Sequence, residues 1–142
     1  MIPYVDTSAL AKLYVNEAGS SAFQTYVAGL TSGWISRLTF LEFRCLLARR
    51  VRAKLISSQD QASARGLFES DIARGLWEIV PLDDQHVTRA ATLIDRLAHS
   101  PLRTLDAIHL AVAQSLGASE LATSDQTLAS AGGTLGLRVA MF

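Results

Sequence analysis

Five short apolar runs alternate along the chain with longer segments whose apolar residues recur at helical spacing, and this alternation restricts the fold more than any other feature. The runs are IPYV (2–5), GWIS (33–36), LWEIVPL (76–82), ELATS (120–124) and LRVAM (137–141). Each is short, partly β-branched and bounded by polar or turn-forming residues, the pattern of a buried strand. Between them lie SALAKLYV (8–15), LTFLEFRCLLARRVRAKL (38–55), SSQDQASARGLFESDIARG (57–75), DDQHVTRAATLIDRLAH (83–99), TLDAIHLAVAQSLG (104–117) and the short DQTLAS (125–130). Gly19 and Gly29 punctuate a further helical stretch, Pro81 and Pro101 break the chain, and Gly117 sits where a helix C-terminus favours glycine. Strands separated by helices of this length predict the α/β class: a parallel sheet covered on both faces.

A chain of 142 residues, 49% hydrophobic and 18% charged, has the size and apolar content of a single domain spanning residues 1–142. Its 13 basic and 13 acidic residues cancel, so no bulk field draws it to a polyanion, and such a partner must meet a local patch. Cys45 is the only cysteine, which rules out an internal disulfide and any thiolate-built metal site. No leader-like segment and no run long enough to span a bilayer stands out, so the sequence reads as cytoplasmic with no membrane partner.

In a parallel sheet, ligands gather at the carboxyl ends of the strands, beside a reversal of strand order. Asp6 follows the first strand and Asp125 a late one, so both are expected at that edge. Asp106 opens a helix among Leu105, Ala107, Ile108 and Leu110, and Glu42 lies between Leu41 and Phe43; neither setting is natural for a purely solvated acid. Carboxylates that converge repel unless a cation or a shared proton compensates. Oxygen ligands without thiolates or paired histidines favour Mg²⁺ or Mn²⁺ over Zn²⁺, and such ions activate water and bind phosphates.

Taken together and in this order, YVDTSAL, TFLEF, LRTLDAIHLAVA and LATSDQTLA resemble the acidic motifs of PIN-domain ribonucleases and, more narrowly, of VapC-like toxins. The resemblance runs from Pro3 to about Val139 and includes the VPLD junction at Val80 to Asp83. It implies a PIN-like three-layer α/β/α domain around a mainly parallel sheet of about four to five strands. It makes Asp6, Glu42, Asp106 and Asp125 the metal-binding, catalytic carboxylates, with Ser8 and Thr123 supporting the site. It further implies a Mg²⁺-dependent endoribonuclease, a cognate VapB-like antitoxin and a homodimer; a catalytically silent PIN-like module that binds RNA or protein is the alternative.

Each residue also has a local reading. Asp6 and Asp125 can cap helices, with Thr7 or Ser8 able to cap in place of Asp6. Asp106 can complement a helix dipole, and Glu42 can pair with Arg37, Arg44 or Arg49 on its helix face. Asp83 and Asp84 stand at a helix start and read as capping residues. Arg44, Arg49, Arg50, Arg52 and Lys54 form a solvated face, a phosphate-backbone track or an antitoxin-binding surface, while Arg37 and Arg103 lie beside acidic motifs and are candidates for the RNA backbone. His109 shares a helix face with Asp106 and reads as a satisfied, partly buried histidine; His86 and His99 read as surface residues, and Trp34 and Trp77 as core.

Overall fold

A computed structural model describes residues 1–142. Its strands are β1 (Tyr4–Val5), β2 (Gly33–Ser36), β3 (Trp77–Val80), β4 (Glu120–Thr123) and β5 (Arg138–Met141). The helices are α1 (Thr7–Tyr14), α2 (Ser20–Ala28), α3 (Arg37–Arg52), α4 (Ser58–Ala73), α5 (Asp84–Arg96), α6 (Thr104–Ser115) and α7 (Gln126–Thr134). The five strands form one sheet in the order β3-β2-β1-β4-β5, and every neighbouring pair is parallel. The predicted α/β/α architecture is therefore observed, with five strands. No helix is long and apolar enough to cross a membrane.

Side-chain alternation along the strands divides the core into two layers. Val5, Ile35, Trp77 and Ala122 face buried residues of α1 to α4, among them Leu10, Phe23, Phe43 and Phe68. Tyr4 and Leu121 face the opposite way, onto Leu93 of α5, Leu110 and Val112 of α6, and Leu128 of α7. Fully burying one large apolar side chain contributes about 1.5–3 kcal/mol, so these two layers hold the three-layer stack together. Trp77 is core as predicted, and Trp34 packs partly buried against the second layer.

Three local features differ from the sequence reading. Helix α3 ends at Arg52 rather than reaching Leu55, because Lys54 turns into the left-handed region at φ 59° and its flanking amides cap the last carbonyls, Leu55 N–H bonding Arg50 O at 2.9 Å. Helix α7 continues past Ser130 to Thr134, because Gly132 lets it lie directly on β4: a Cβ there would stand 2.7 Å from Leu121 Cδ2. His86 is buried, not on the surface. It shares the inward stripe of α5 with Ala90 and Leu93, its Nδ1 accepts from the Asp83 amide at 3.1 Å, and its Nε2 meets Ser115 Oγ at 3.0 Å, tying α5 to α6. His99 is exposed, as predicted, and Asp83 caps α5.

Two glycines in different surroundings test the packing. At Gly33 a Cβ would meet the buried Trp77 ring at 2.7 Å, whereas at the exposed helical Gly66 it would meet nothing within 4 Å. Gly33→Ala is expected to destabilise by about 1–3 kcal/mol. Gly66→Ala is expected to stabilise by about 0.5–1 kcal/mol. Denaturant midpoints of the two variants against the parent chain check both signs.

Candidate active site at the carboxyl edge of the sheet

The strand order reverses at β1, with β2 and β3 on one side and β4 and β5 on the other. Pairing of Tyr4 with Leu121 and Val5 with Ala122 brings Asp6 and Thr123 out level at the carboxyl edge. The Asp6 amide continues the ladder to Ala122 O at 3.1 Å. A cavity of about 470 Å³ opens there, and Asp6, Glu42, Asp106 and Asp125 all line it. The structure thus brings the four predicted acids to one place.

Asp6 is 4% exposed and is itself the N-cap of α1, accepting from the Ala9 amide at 3.0 Å. The cap does not come from Thr7 or Ser8. Ser8 Oγ bonds the Asp6 carboxylate at 2.8 Å, and Thr123 Oγ1 donates to Oδ2 at 2.8 Å. The two predicted supporting hydroxyls therefore clamp this acid from α1 and β4. Ser8 in turn accepts from the Ser124 amide at 2.9 Å, and Thr123 Oγ1 from the Asp125 amide at 3.0 Å. Burial pushes the Asp6 carboxyl above its ordinary value, against the lowering influence of His109 and of the Ala9, Ser8 and Thr123 donors.

Asp125 caps α7 through Oδ1, which accepts from the Leu128 amide at 2.8 Å, and presents Oδ2 to Arg103 Nη2 at 3.3 Å. Asp106, in the first turn of α6, accepts through Oδ2 from the Arg103 amide at 3.1 Å and from Arg103 Nε at 3.3 Å. One guanidinium, with its side chain 76% exposed, therefore bridges the two acids through long bonds. Capping and a place in the cavity coexist for Asp6 and Asp125: each caps through Oδ1, while Oδ2 takes Ser8 and Thr123 in Asp6 and Arg103 in Asp125.

Glu42 departs from the ion pair considered in the sequence. It accepts through Oε1 from Thr7 Oγ1 at 2.7 Å and from His109 Nε2 at 2.6 Å. Burial acts to raise its pKa, but hydrogen bonds from His109 and Thr7 and the charges of His109 and Arg49 overcome this and hold the carboxyl below its ordinary range. Of the candidate arginines, Arg49 and Arg103 line the cavity, whereas Arg37 lies over the Phe40 ring at 4.3 Å and Arg44 pairs with Glu69 at 2.6 Å. Thr7, Ser124 and Tyr4 were not picked out as site residues, although Thr7 directly follows Asp6. His109, read from the sequence as a satisfied histidine in preference to a ligand, bonds Glu42, and its spacing from Asp106 is the signal that placed it near the site.

Four carboxylates face two guanidiniums across this cavity, so it is electronegative and disfavours a phosphate unless further positive charge enters. As the side chains stand, no three His, Cys, Asp or Glu converge tightly enough to hold a metal ion; Arg103 lies between Asp106 and Asp125 instead. The donor set itself, all carboxylate oxygen with hydroxyls behind it, fits a hard divalent cation. The residues therefore fit the group chemically, with the exposed Arg103 guanidinium standing between two of them.

A PIN domain family profile matches residues 4–133. The chain is 35% identical over 139 residues to Ribonuclease VapC46 of Mycobacterium tuberculosis, covering 96% of this chain and 94% of that protein. Among solved structures it is similar to M. tuberculosis VapC20, described as a sarcin–ricin loop cleaving toxin, with a TM-score of 0.72 at 20% identity over 91% of this chain and 94% of that one. It is also similar to DNA-bound VapBC of Salmonella typhimurium, with a TM-score of 0.67 at 18% identity, covering 99% of this chain and 98% of that one.

The buried Asp6 yields a stability prediction. Because its folded pKa is raised, the native chain holds the proton more tightly than the unfolded chain, and stability falls as pH rises from the ordinary aspartate value through the folded one. Without divalent cations, Asp6→Asn is therefore expected to raise Tm at pH 7, and the gain should shrink on acidification toward pH 4. Thermal melts across that range check it; a gain independent of pH would contradict a buried carboxylate as its cause.

Proposed function

The chain belongs to the PIN-domain family, in its VapC-like group, and from that premise we propose that it is a metal-dependent endoribonuclease acting as the toxin of a toxin–antitoxin pair. The observation that carries this reading is the carboxylate excess of the cavity at the β1–β4 crossing, where four acids meet two arginines. Asp6, Asp106 and Asp125, with Glu42, would hold Mg²⁺ or Mn²⁺. When bound, such a cation lowers the pKa of water and neutralises charge on the scissile phosphate.

The chain's own groups have distinct parts. Ser8 and Thr123 fix both Asp6 oxygens, so that this carboxylate is preorganised rather than recruited. Capping bonds to Leu128 and to Arg103 fix Asp125 and Asp106 at helix N-termini, whose amides favour negative charge. Arg103, exposed and loosely held, can leave the acids and meet a phosphate oxygen of the RNA backbone, and Arg49 borders the same cavity. Arg44 lies on the neighbouring α3 surface, and Arg37 near its start; both are outlying candidates for backbone contacts.

RNA as substrate is supported by the similarity to VapC46, named a ribonuclease, and to VapC20, described as a sarcin–ricin loop cleaving toxin. A VapB-like antitoxin as partner is supported by the shared fold with the toxin of the Salmonella VapBC complex. The homodimer rests on family resemblance alone.

Purified protein is expected to cut single-stranded RNA with Mg²⁺ or Mn²⁺ and to stop when the cation is chelated. Asp6→Asn or Asp106→Asn should each lower the cleavage rate by at least about a hundredfold. Cleavage that persists in chelator or in both variants contradicts the reading, and RNA binding without cation-dependent cleavage supports the silent module instead. Arg103→Ala should raise KM severalfold and flatten the salt dependence of RNA binding by about one charge, while leaving Mn²⁺ affinity undiminished in calorimetry.

A further inference from the structure

Glu42 is held by one oxygen only. Thr7 Oγ1 and His109 Nε2 both bond Oε1, at 2.7 and 2.6 Å, while Oε2 carries no hydrogen bond and remains accessible at the cavity. The histidine is itself fixed from behind. Its Nδ1 lies 2.7 Å from Tyr4 Oη, and the two rings meet edge to face with centroids 5.9 Å apart. His109 is 4% exposed and Tyr4 fully buried on β1, so the relay runs from the first strand through α6 to α3.

Elementary donor and acceptor matching places a hydrogen on one ring nitrogen. A carboxylate oxygen only accepts, so His109 Nε2 must carry the hydrogen that points to Glu42. The Tyr4 hydroxyl engages the other ring nitrogen, Nδ1, at 2.7 Å. Both ring nitrogens are thereby committed, which removes His109 from the set of metal ligands. A glutamate on a helix surface otherwise samples many rotamers, and ordering it when a ligand arrives costs free energy. Here the ordering is built into the fold.

We propose that His109 is a positioning residue that, in relay with Tyr4 and together with Thr7, locks Glu42 by Oε1 and so presents Oε2 to a divalent cation. The inference rests on the cation-site reading given above. Outer groups that orient a metal-binding side chain are generally worth about 10–100-fold in metal affinity.

The test is calorimetric Mn²⁺ binding to the intact protein without RNA. His109→Leu is expected to weaken Mn²⁺ affinity by about 10–100-fold, and His109→Gln, whose amide can again donate to Glu42, to recover most of it. Tyr4→Phe keeps the ring and loses the hydroxyl, and should weaken affinity severalfold; it carries the test if His109→Leu does not fold. On a Glu42→Gln background His109→Leu should add no further loss, since both changes act through one carboxylate. Nitrogen-15 spectra of the imidazole should show a hydrogen on Nε2. Unchanged Mn²⁺ affinity in folded His109→Leu or in Tyr4→Phe, an additive double variant, or an Nδ1–H tautomer overturns the positioning role while leaving the nuclease reading intact. Wild-type protein that binds no Mn²⁺ overturns the cation-site reading and this inference with it.

Discussion

The parallel pairing of a two-residue strand, Tyr4–Val5, with β4 is the constraint on which the site depends. Shifting that register by one residue would turn Tyr4 into the layer now filled by Val5 and Leu10, and would move Asp6 away from Thr123. The apolar demand of two different core layers therefore fixes the position of a polar cluster. Once Asp6 and Thr123 emerge together, the hydroxyl of Thr123 bonds one acid and receives the amide of another, so that Asp6 and Asp125 are linked through a single side chain.

The same geometry explains why the acids tolerate one another. Asp6, Asp106 and Asp125 each accept a backbone amide at a helix N-terminus, where partial positive charge offsets a carboxylate. Glu42 has no such end and is compensated by His109 and Thr7 instead. Even so, Asp6 is buried deeply enough that its charged form is disfavoured. A fold that keeps such a group carries a stability cost at its functional edge, a pattern expected of sites selected for chemistry rather than for stability.

Much of this was legible in the sequence. The five strands follow from short apolar runs, and the convergence of Asp6 with Asp125 follows from parallel topology alone. Ser8 and Thr123 were assigned through family resemblance, and their bonds to Asp6 agree with that assignment. What was not legible depends on packing between elements distant in the chain. His86 lies on an inward helical stripe with Ala90 and Leu93, but its partner Ser115 is on another helix. The Thr7 and His109 bonds to Glu42 join three helices, and the Arg103 bridge requires α6 and α7 to start side by side. Local spacing carries none of these distances. Thr7 and Ser8 were equally plausible caps in the sequence, but it is Asp6 that caps α1 while also lining the cavity.

We propose that the acids at the carboxyl edge of β1 and β4 form one cation site once Arg103 withdraws. Anomalous scattering from crystals grown with Mn²⁺ tests it most directly. The account predicts a Mn²⁺ peak bounded by Asp6, Asp106 and Asp125, with Glu42 Oε2 turned toward it and the Arg103 guanidinium displaced from both aspartates. Crystals saturated with Mn²⁺ that show no peak there, with Arg103 still bridging Asp106 and Asp125, would contradict it.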